Sequence, residues 1–326
     1  MIITRTPLRI SLGGGGTDLP SYYERFGGMV VSAAISKHIY LAVNETFTDD
    51  YFLKYSALER VQRVEDIDHP LVREALLTHP LGPSIELVSL ADIPSGTGLG
   101  SSGSFTVGLL RTIYAQRREH VTAAKLAEEA CAIEIERLRR PVGKQDQYIA
   151  AFGGLTCFDF HPDGRVDAHP LAIPTTALHD LEEHLLMFFT GYSRGADEVL
   201  EDQRRRSQSG DTGMLDNLRF IKEIGYEIKE ALESGDCARF GKLLDIHWQH
   251  KRERTVSMSN PDINWWYDVA MDSGALGGKL VGAGAGGFLL FFAQDTAALR
   301  AAMTQEGLRE VRFSFDHDGS TVIVRE

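Results

Sequence analysis

The chain has 326 residues, 43% hydrophobic and 25% charged, with a formal net charge of −12 at pH 7. That length suits one large or two ordinary domains, and the composition excludes long disordered stretches. The acidic balance argues against nucleic acid as a partner, because a phosphate backbone demands a basic face; an anionic small molecule needs only a local cationic cluster. In chain order, residues 2–12 alternate as a strand, with Leu8, Ile10 and Leu12 on one face and Arg9 and Ser11 on the other. Residues 29–47 read as two strands around Ser36-Lys37-His38, and Ile85 to Leu90 as another. Helices are expected over 101–118 and 122–140, with Thr122 as N-cap. A strand pair follows at 154–160 and 165–171, turned by Pro162-Asp163-Gly164.

A second block opens near residue 180 with a strand from Leu185 to Thr190. Helices are expected at 196–209, 214–233, 236–251 and from Trp265 to Gly274. A strand from Phe288 to Phe292, a helix near 296–306 and strands at 309–315 and 320–325 complete the reading. Strands and helices mixed within two blocks predict an α+β fold of two domains, 1–179 and 180–326. Three cysteines, Cys131, Cys157 and Cys237, form no Cys-x-x-Cys pair, so a cytoplasmic setting with reduced thiols is expected. Arg5 and Arg9 interrupt any apolar leader, the longest apolar run is too short to span a bilayer, and no membrane partner is expected.

Residues 94–104 read Pro-Ser-Gly-Thr-Gly-Leu-Gly-Ser-Ser-Gly-Ser and feed a helical stripe of Phe105, Leu109 and Ile113. Glycines at 96, 98 and 100 let backbone approach a ligand, and a helix start offers free N–H groups to an anion. Gly96, Thr97, Gly98, Leu99, Gly100, Ser101 and Ser102 are the expected phosphate cradle. No lysine follows Gly100, so this is not a Walker loop. Gly282-x-Gly284-x-x-Gly287 fits the dinucleotide fingerprint spacing, but a strand follows where that fingerprint needs a helix. On the helix at 122–140, Glu134 shares a face with Ala123, Ala127, Ala130, Cys131 and Leu138; a carboxylate so buried needs a cation, either a metal or a base such as Arg137.

Three ordered segments resemble the GHMP small-molecule kinases: Pro-x-x-x-Gly-Leu-Gly-Ser-Ser at 94–102, the stretch Arg5 to Pro20 with Gly13-Gly14-Gly15-Gly16-Thr17-Asp18, and Lys279 to Phe288. Where that family usually has two alanines after the serines, this chain has Gly103-Ser104. The resemblance implies a two-domain architecture with the active site in the cleft, ATP as phosphoryl donor and Mg2+ held by Ser101 and Glu134. It implies that Asp146, in Gly143-Lys144-Gln145-Asp146-Gln147, faces the acceptor hydroxyl and that Arg9 approaches this carboxylate. Gly14, Gly15, Gly16, Thr17 and Asp18 become the acceptor loop, and Gly284 a close backbone contact. Galactokinases carry a Gly-Glu-His-Thr-Asp type segment instead. The four-glycine version looks like the D-glycero-D-manno-heptose 7-phosphate kinases, which phosphorylate the anomeric hydroxyl on the way to nucleotide-activated heptose for surface polysaccharide. A phosphorylated acceptor asks for further cations, for which Lys144, Arg194 and Lys279 are candidates. A kinase of an unphosphorylated sugar and a silent sugar sensor are the alternatives; the presence of Ser101, Glu134 and Asp146 argues against the sensor.

Overall fold

A computed structural model describes residues 1–192, 197–255, 258–284 and 286–326. The elements run β1 (Ile2–Gly13), α1 (Pro20–Phe26), β2 (Gly28–Glu45), β3 (Tyr51–Lys54), β4 (Leu58–Val61), α2 (Pro70–Thr78), β5 (Ile85–Ala91), α3 (Ser101–Gln116), α4 (Ala123–Cys131) and α5 (Gln145–Phe152). There follow β6 (Leu155–Phe160), β7 (Val166–Pro170), α6 (Thr175–His184), β8 (Leu185–Phe189), α7 (Asp197–Gln208), α8 (Thr212–Ser234), α9 (Cys237–Arg252) and α10 (Pro261–Asp272). Last come β9 (Ala275–Leu280), β10 (Phe288–Ala293), α11 (Thr296–Gln305), β11 (Arg309–Glu310) and β12 (Thr321–Arg325).

Two sheets organise the α+β fold. The larger runs β12-β1-β2-β5-β3-β4, with β6 also pairing β2 and β7 pairing β6. The smaller runs β11-β8-β10-β9 and is antiparallel throughout. The expected division at 179/180 therefore needs one amendment. The final strand β12 returns to β1, so the first sheet draws on both ends of the chain. Helices α3, α5 and α8 pack on the large sheet and α9 and α10 on the small one, while α8 and α9 lie against each other. This contact brings α9 and β9 opposite β1 and α3, and the site lies between them.

Residues 29–47 form one strand rather than two. Pro7 pairs with His38 while Leu8 pairs with Ile35, so Ser36 and Lys37 are accommodated in a bulge instead of a turn. The bulged backbone stays satisfied: Ser36 N donates to Ser314 O, and His38 N to an Asp92 carboxylate oxygen. The bend lets one strand pair with β6 in its first half and β5 in its second. At 309–315 only Arg309–Glu310 is strand, with an isolated bridge from Phe315 to Ile35.

Helix 122–140 also departs from regularity. Thr122 caps it as expected, accepting from Lys125 N at 3.2 Å. After Cys131 the helix widens into a π-helical stretch, Ala132–Arg137. Such widening marks places where side-chain direction matters more than backbone economy. Glu134 lies in it and is fully buried.

Candidate active site

The site begins with β1. Arg9 lies on the face opposite Leu8 and Ile10, yet it is only 6% exposed. Its backbone N donates to Leu99 O at 3.0 Å, tying the strand to the phosphate loop. Arg9 Nε and Nη2 both reach Asp146 Oδ1 at 2.8 Å, and Nη1 donates to Gly98 O. Gln145 Nε2 also donates to Asp146 Oδ1, at 3.2 Å. Oδ1 is thus crowded with donors, and Oδ2 has none among the described residues.

Glycine permits this closeness at two positions. Gly100 takes a left-handed conformation (φ 76°) at the N-cap of α3, where a Cβ would meet Arg9 Cγ at 3.1 Å and Asp146 Cγ at 3.3 Å. A Cβ on Gly103 would lie 2.7 Å from Asp146 Cβ. The departure from two alanines therefore has a packing reason: Gly103 lets the start of α5 press against α3. Ser104 Oγ donates to Pro7 O at 2.7 Å and fastens α3 to β1.

A cavity of about 690 Å³ joins these groups to both sides of the cleft, a size suited to small-molecule ligands. Gly96, Gly98, Gly100, Ser101, Ser102, Arg9 and Asp146 line it, and so do Gly15, Gly16 and Asp18. Asp18 is held by backbone: Gly16 N donates to Oδ1 at 3.0 Å and Gln145 N to Oδ2 at 3.1 Å. Burial, then the Asp146 charge, push its carboxyl above the usual range, against the two N–H donors.

Other expected ligands point elsewhere. Thr17 Oγ1 donates to Gly14 O and Met29 O and accepts from Met29 N, so it braces the turn beneath the cavity. Gly14 packs on Met29 O, where a Cβ would clash at 2.0 Å. Thr97 Oγ1 donates to Pro94 O, and Leu99 is wholly buried in the core. Lys144 turns away from the cavity: its Nζ donates to Gly164 O at 2.8 Å and sits over the Tyr23 ring. Gly284 packs against Met258 and does not line the cavity. Arg194 lies outside the described residues. The Gly282–Gly287 segment joins β9 to the antiparallel β10, so the dinucleotide spacing carries no such site. A Cβ on Gly282 would meet Gly98 Cα at 2.5 Å, which makes this turn a backbone clamp on the phosphate loop.

Glu134 accepts from Gln147 Nε2 at 2.9 Å and Arg140 Nη1 at 3.1 Å. Burial raises its carboxyl pKa, with Arg140 opposing. The partner is thus Arg140, not Arg137, which pairs with Glu74. The π-helical widening carries the chain round so that Arg140 N also donates to Glu134 O. Ser101 Oγ is buried without a hydrogen-bond partner. An orphaned hydroxyl and a buried carboxylate are hard oxygen donors, and they fit a magnesium ion. No cluster of three or more His, Cys, Asp or Glu exists among the described residues, so such an ion would complete its shell with phosphate and water oxygens.

Sequence reasoning missed two parts of the cavity. One is an apolar end with Leu71, Ile93 and Phe105, where His69 stacks on Phe105 at 4.9 Å and meets Tyr55 edge-on; no element is expected from Tyr55 to Leu71, and Phe105 reads only as part of a helical stripe. The other is most of a cationic wall: His247, Lys251 and Arg254 join Lys279, one of the three candidate phosphate cations, along one side of the cavity. His247, Lys251 and Arg254 stand at i, i+4 and i+7, a one-face helical spacing that could have revealed them.

Comparison with known proteins gives the family. Residues 55–154 match the GHMP kinases N terminal domain and residues 228–309 the GHMP kinases C terminal domain. A D-glycero-alpha-D-manno-heptose 7-phosphate kinase from Campylobacter jejuni is 30% identical over 98% of this chain and 97% of its own. A solved structure of a putative sugar kinase from Campylobacter jejuni is 28% identical with a TM-score of 0.77, covering 98% of this chain and 97% of that one. A D-glycero-D-manno-heptose 1-phosphate kinase from Bacteroides thetaiotaomicron shares the fold at a TM-score of 0.81, with 24% identity and full coverage of both chains. The chain belongs to the GHMP kinases. It is an enzyme of phosphoryl transfer to an alcohol group.

Proposed function

We propose that this chain is a sugar kinase that moves the terminal phosphoryl group of ATP to the anomeric hydroxyl of D-glycero-D-manno-heptose 7-phosphate. The product is the 1,7-bisphosphate, a precursor of nucleotide-activated heptose for surface polysaccharide, made in the cytoplasm. One observation carries the reading. Among the described residues Asp146 Oδ2 has no donor, in the same cavity as the phosphate loop and Asp18, while Arg9 fixes Oδ1. The similarity to the Campylobacter jejuni heptose 7-phosphate kinase favours heptose over other sugars.

The residues divide the work. Backbone N–H groups of Gly96–Ser102 and the start of α3 hold the nucleotide phosphates. The apolar end around Phe105 and His69 takes the base. Asp18 accepts from ring hydroxyls, and its fixed position sets the ring. Asp146 Oδ2 accepts the anomeric hydroxyl proton as the oxygen attacks the terminal phosphorus of ATP, the bond from that phosphorus to the bridging oxygen breaks, and ADP leaves with its electron pair. Arg9, kept rigid by Asp146 and Gly98 O, spreads the negative charge of the transition state. Ser101 and Glu134 would hold magnesium, which neutralises phosphate charge when bound. Gly15 and Gly16 bring backbone close to the acceptor, without side chains in the way.

ADP release should be followed with heptose 7-phosphate, free heptose, fucose and galactose, with the product assigned by phosphorus NMR. The proposal expects heptose 7-phosphate to be used most efficiently and an anomeric phosphate to form. Equal or better use of a free sugar would replace it with a kinase of unphosphorylated sugars.

A further inference from the structure

Lys251 and Lys279 differ from Arg9 and Arg140 in the same cavity. Arg9 is paired with Asp146, and Arg140 with Glu134 and Asp197. The two lysines have no carboxylate partner among the described residues. Among the described residues Lys251 Nζ donates to the carbonyls of Leu280 and Gly282, and Lys279 Nζ to Leu12 O, at a long 3.4 Å. Both are almost fully buried, Lys279 to 1% exposure. Beside them His247 is wholly buried, and neither of its ring nitrogens has a partner among the described residues. Arg254 completes the group; its guanidinium reaches Gln203 Oε1 at 3.1 Å and Gly15 O at 3.4–3.5 Å.

Burying cations without counter-charge is costly, and the protein shows the cost. Burial, with neighbouring positive charges, pushes Lys279 down to about 7 and Lys251 well below its usual value. His247 is driven down by burial and the same neighbours, and Arg254 falls to about 10 by burial. Three basic side chains and an imidazole kept neutral by burial and by them are held facing one space. Two of them stand one turn apart on α9, Arg254 follows just past its end, and β9 packed on α9 delivers the fourth, which makes this a built wall. An incoming anion would relieve all four.

The wall also has a place relative to the chemistry. Lys279 touches β1 at Leu12, three residues past Arg9, which is roughly 10 Å along an extended strand. Arg254 crowds Gly16, where a Cβ would meet its Nη1 at 2.6 Å, and Gly16 N holds Asp18. The acceptor therefore lies between Arg9 at one end and the lysines at the other. We propose that His247, Lys251, Arg254 and Lys279 recognise a phosphomonoester carried on the acceptor sugar, at the end remote from the hydroxyl that is phosphorylated. The inference rests on the reading of the acceptor as a sugar phosphate. It assigns that specificity to these four residues, not to Lys144, which faces Gly164.

A phosphate reaching the wall has two sources, the acceptor or the end of the nucleotide, and the test separates them. Affinities of the purified enzyme for ATP, heptose 7-phosphate, free heptose, glucose 6-phosphate and inorganic phosphate should be measured by calorimetry, for wild type, Lys251→Met, Lys279→Met and Lys279→Arg. Thermal unfolding reports folding, and the Met variants should unfold no earlier than wild type, because they remove a buried unpaired charge. The wild type is expected to bind the phosphosugar at least tenfold more tightly than the free sugar. Each Met variant is expected to lose about 10- to 100-fold for the phosphosugar, with free sugar and ATP changed less than about threefold; Lys279→Arg keeps most of the affinity.

A preference for glucose 6-phosphate that the Met variants abolish upholds the wall and overturns the heptose assignment. Tight phosphosugar binding untouched by the variants overturns the wall and leaves the heptose assignment standing. A loss falling mainly on ATP overturns it in favour of the nucleotide. A wild type indifferent to the sugar's phosphate overturns both readings.

Discussion

The two ends of the cavity treat buried charge in opposite ways. At the Arg9–Asp146 end each charge has its counter-charge already in place, at 2.8 Å. At the Lys251–Lys279 end the lysines have carbonyl oxygens, and no carboxylate pairs with them among the described residues. The first end is preorganised: the protein carries both partners, so the geometry is fixed before substrate arrives, which is what in-line transfer needs. The second end is left incomplete, so that binding supplies what folding did not. Charge balance in the folded chain thus separates groups that do chemistry from groups that select the ligand.

The largest expected effect comes from breaking the balanced end. Asp146→Asn removes the proton acceptor and should lower kcat by about 10²- to 10⁴-fold, with ATP affinity changed only a few fold. Turnover equal to wild type would remove Asp146 from the chemistry. Arg9→Met should lower kcat by about 10²- to 10³-fold, as loss of one transition-state donor does. It leaves Asp18 and the lysines untouched, so phosphosugar affinity measured without nucleotide should hold within about threefold.

Much of the balanced end was legible in the sequence, because its residues sit in contiguous glycine-rich words. Gly98, Gly100, Asp18 and Asp146 carry local signals of turn and cap. What stayed hidden was of another kind. Thr17 looked like a ligand because it adjoins Asp18, but its side chain serves the turn through Gly14 and Met29. The partner of Glu134 was expected within an ideal helix, and the π-helical widening moved the role to Arg140. The cationic end was the least visible. His247 and Lys251 lie on a helix whose last turn is basic, and Arg254 follows two residues past its end, a pattern that normally means a solvated surface complementing the helix dipole. Only the packing of α9 on β9, across hundreds of sequence positions from β1, turns that stripe inward.

The unbalanced end should respond to pH, and the sign follows from its titrating group. Lys279, brought down to about 7, faces Lys251, His247 and Arg254 from α9 and its end, and Arg9 from β1. Below about pH 7 it is charged in the free enzyme and binds an anion directly. Above that it is neutral and must take up a proton on binding, so phosphosugar affinity should fall as pH rises from 7 to 9. Calorimetry in buffers of different ionisation heat should record proton uptake in that range, and the uptake should shrink in Lys279→Met. The free protein shows the complementary trend. A lysine depressed on folding binds more protons when unfolded, so Lys279 contributes increasing stability from about pH 7 towards its unfolded value near 10.

A smaller effect concerns the metal donors. Glu134→Gln should raise the magnesium concentration giving half-maximal rate several fold, at nearly unchanged phosphosugar affinity. An unaltered magnesium response with the fold intact would leave Glu134 as the buried counter-charge of Arg140. Smaller still, Ser104→Ala removes the bond to Pro7 O and should cost about 1 kcal/mol of stability, read as a lowered Tm with kcat nearly kept.

The orientation of the acceptor tests the whole account most directly. A crystal structure with heptose 7-phosphate and a non-hydrolysable ATP analogue should place the anomeric oxygen against Asp146 Oδ2, the ring hydroxyls at Asp18, and the 7-phosphate within hydrogen-bond distance of Lys251 and Lys279. A sugar bound with its phosphate away from those lysines, or with the anomeric carbon remote from Asp146, would contradict it.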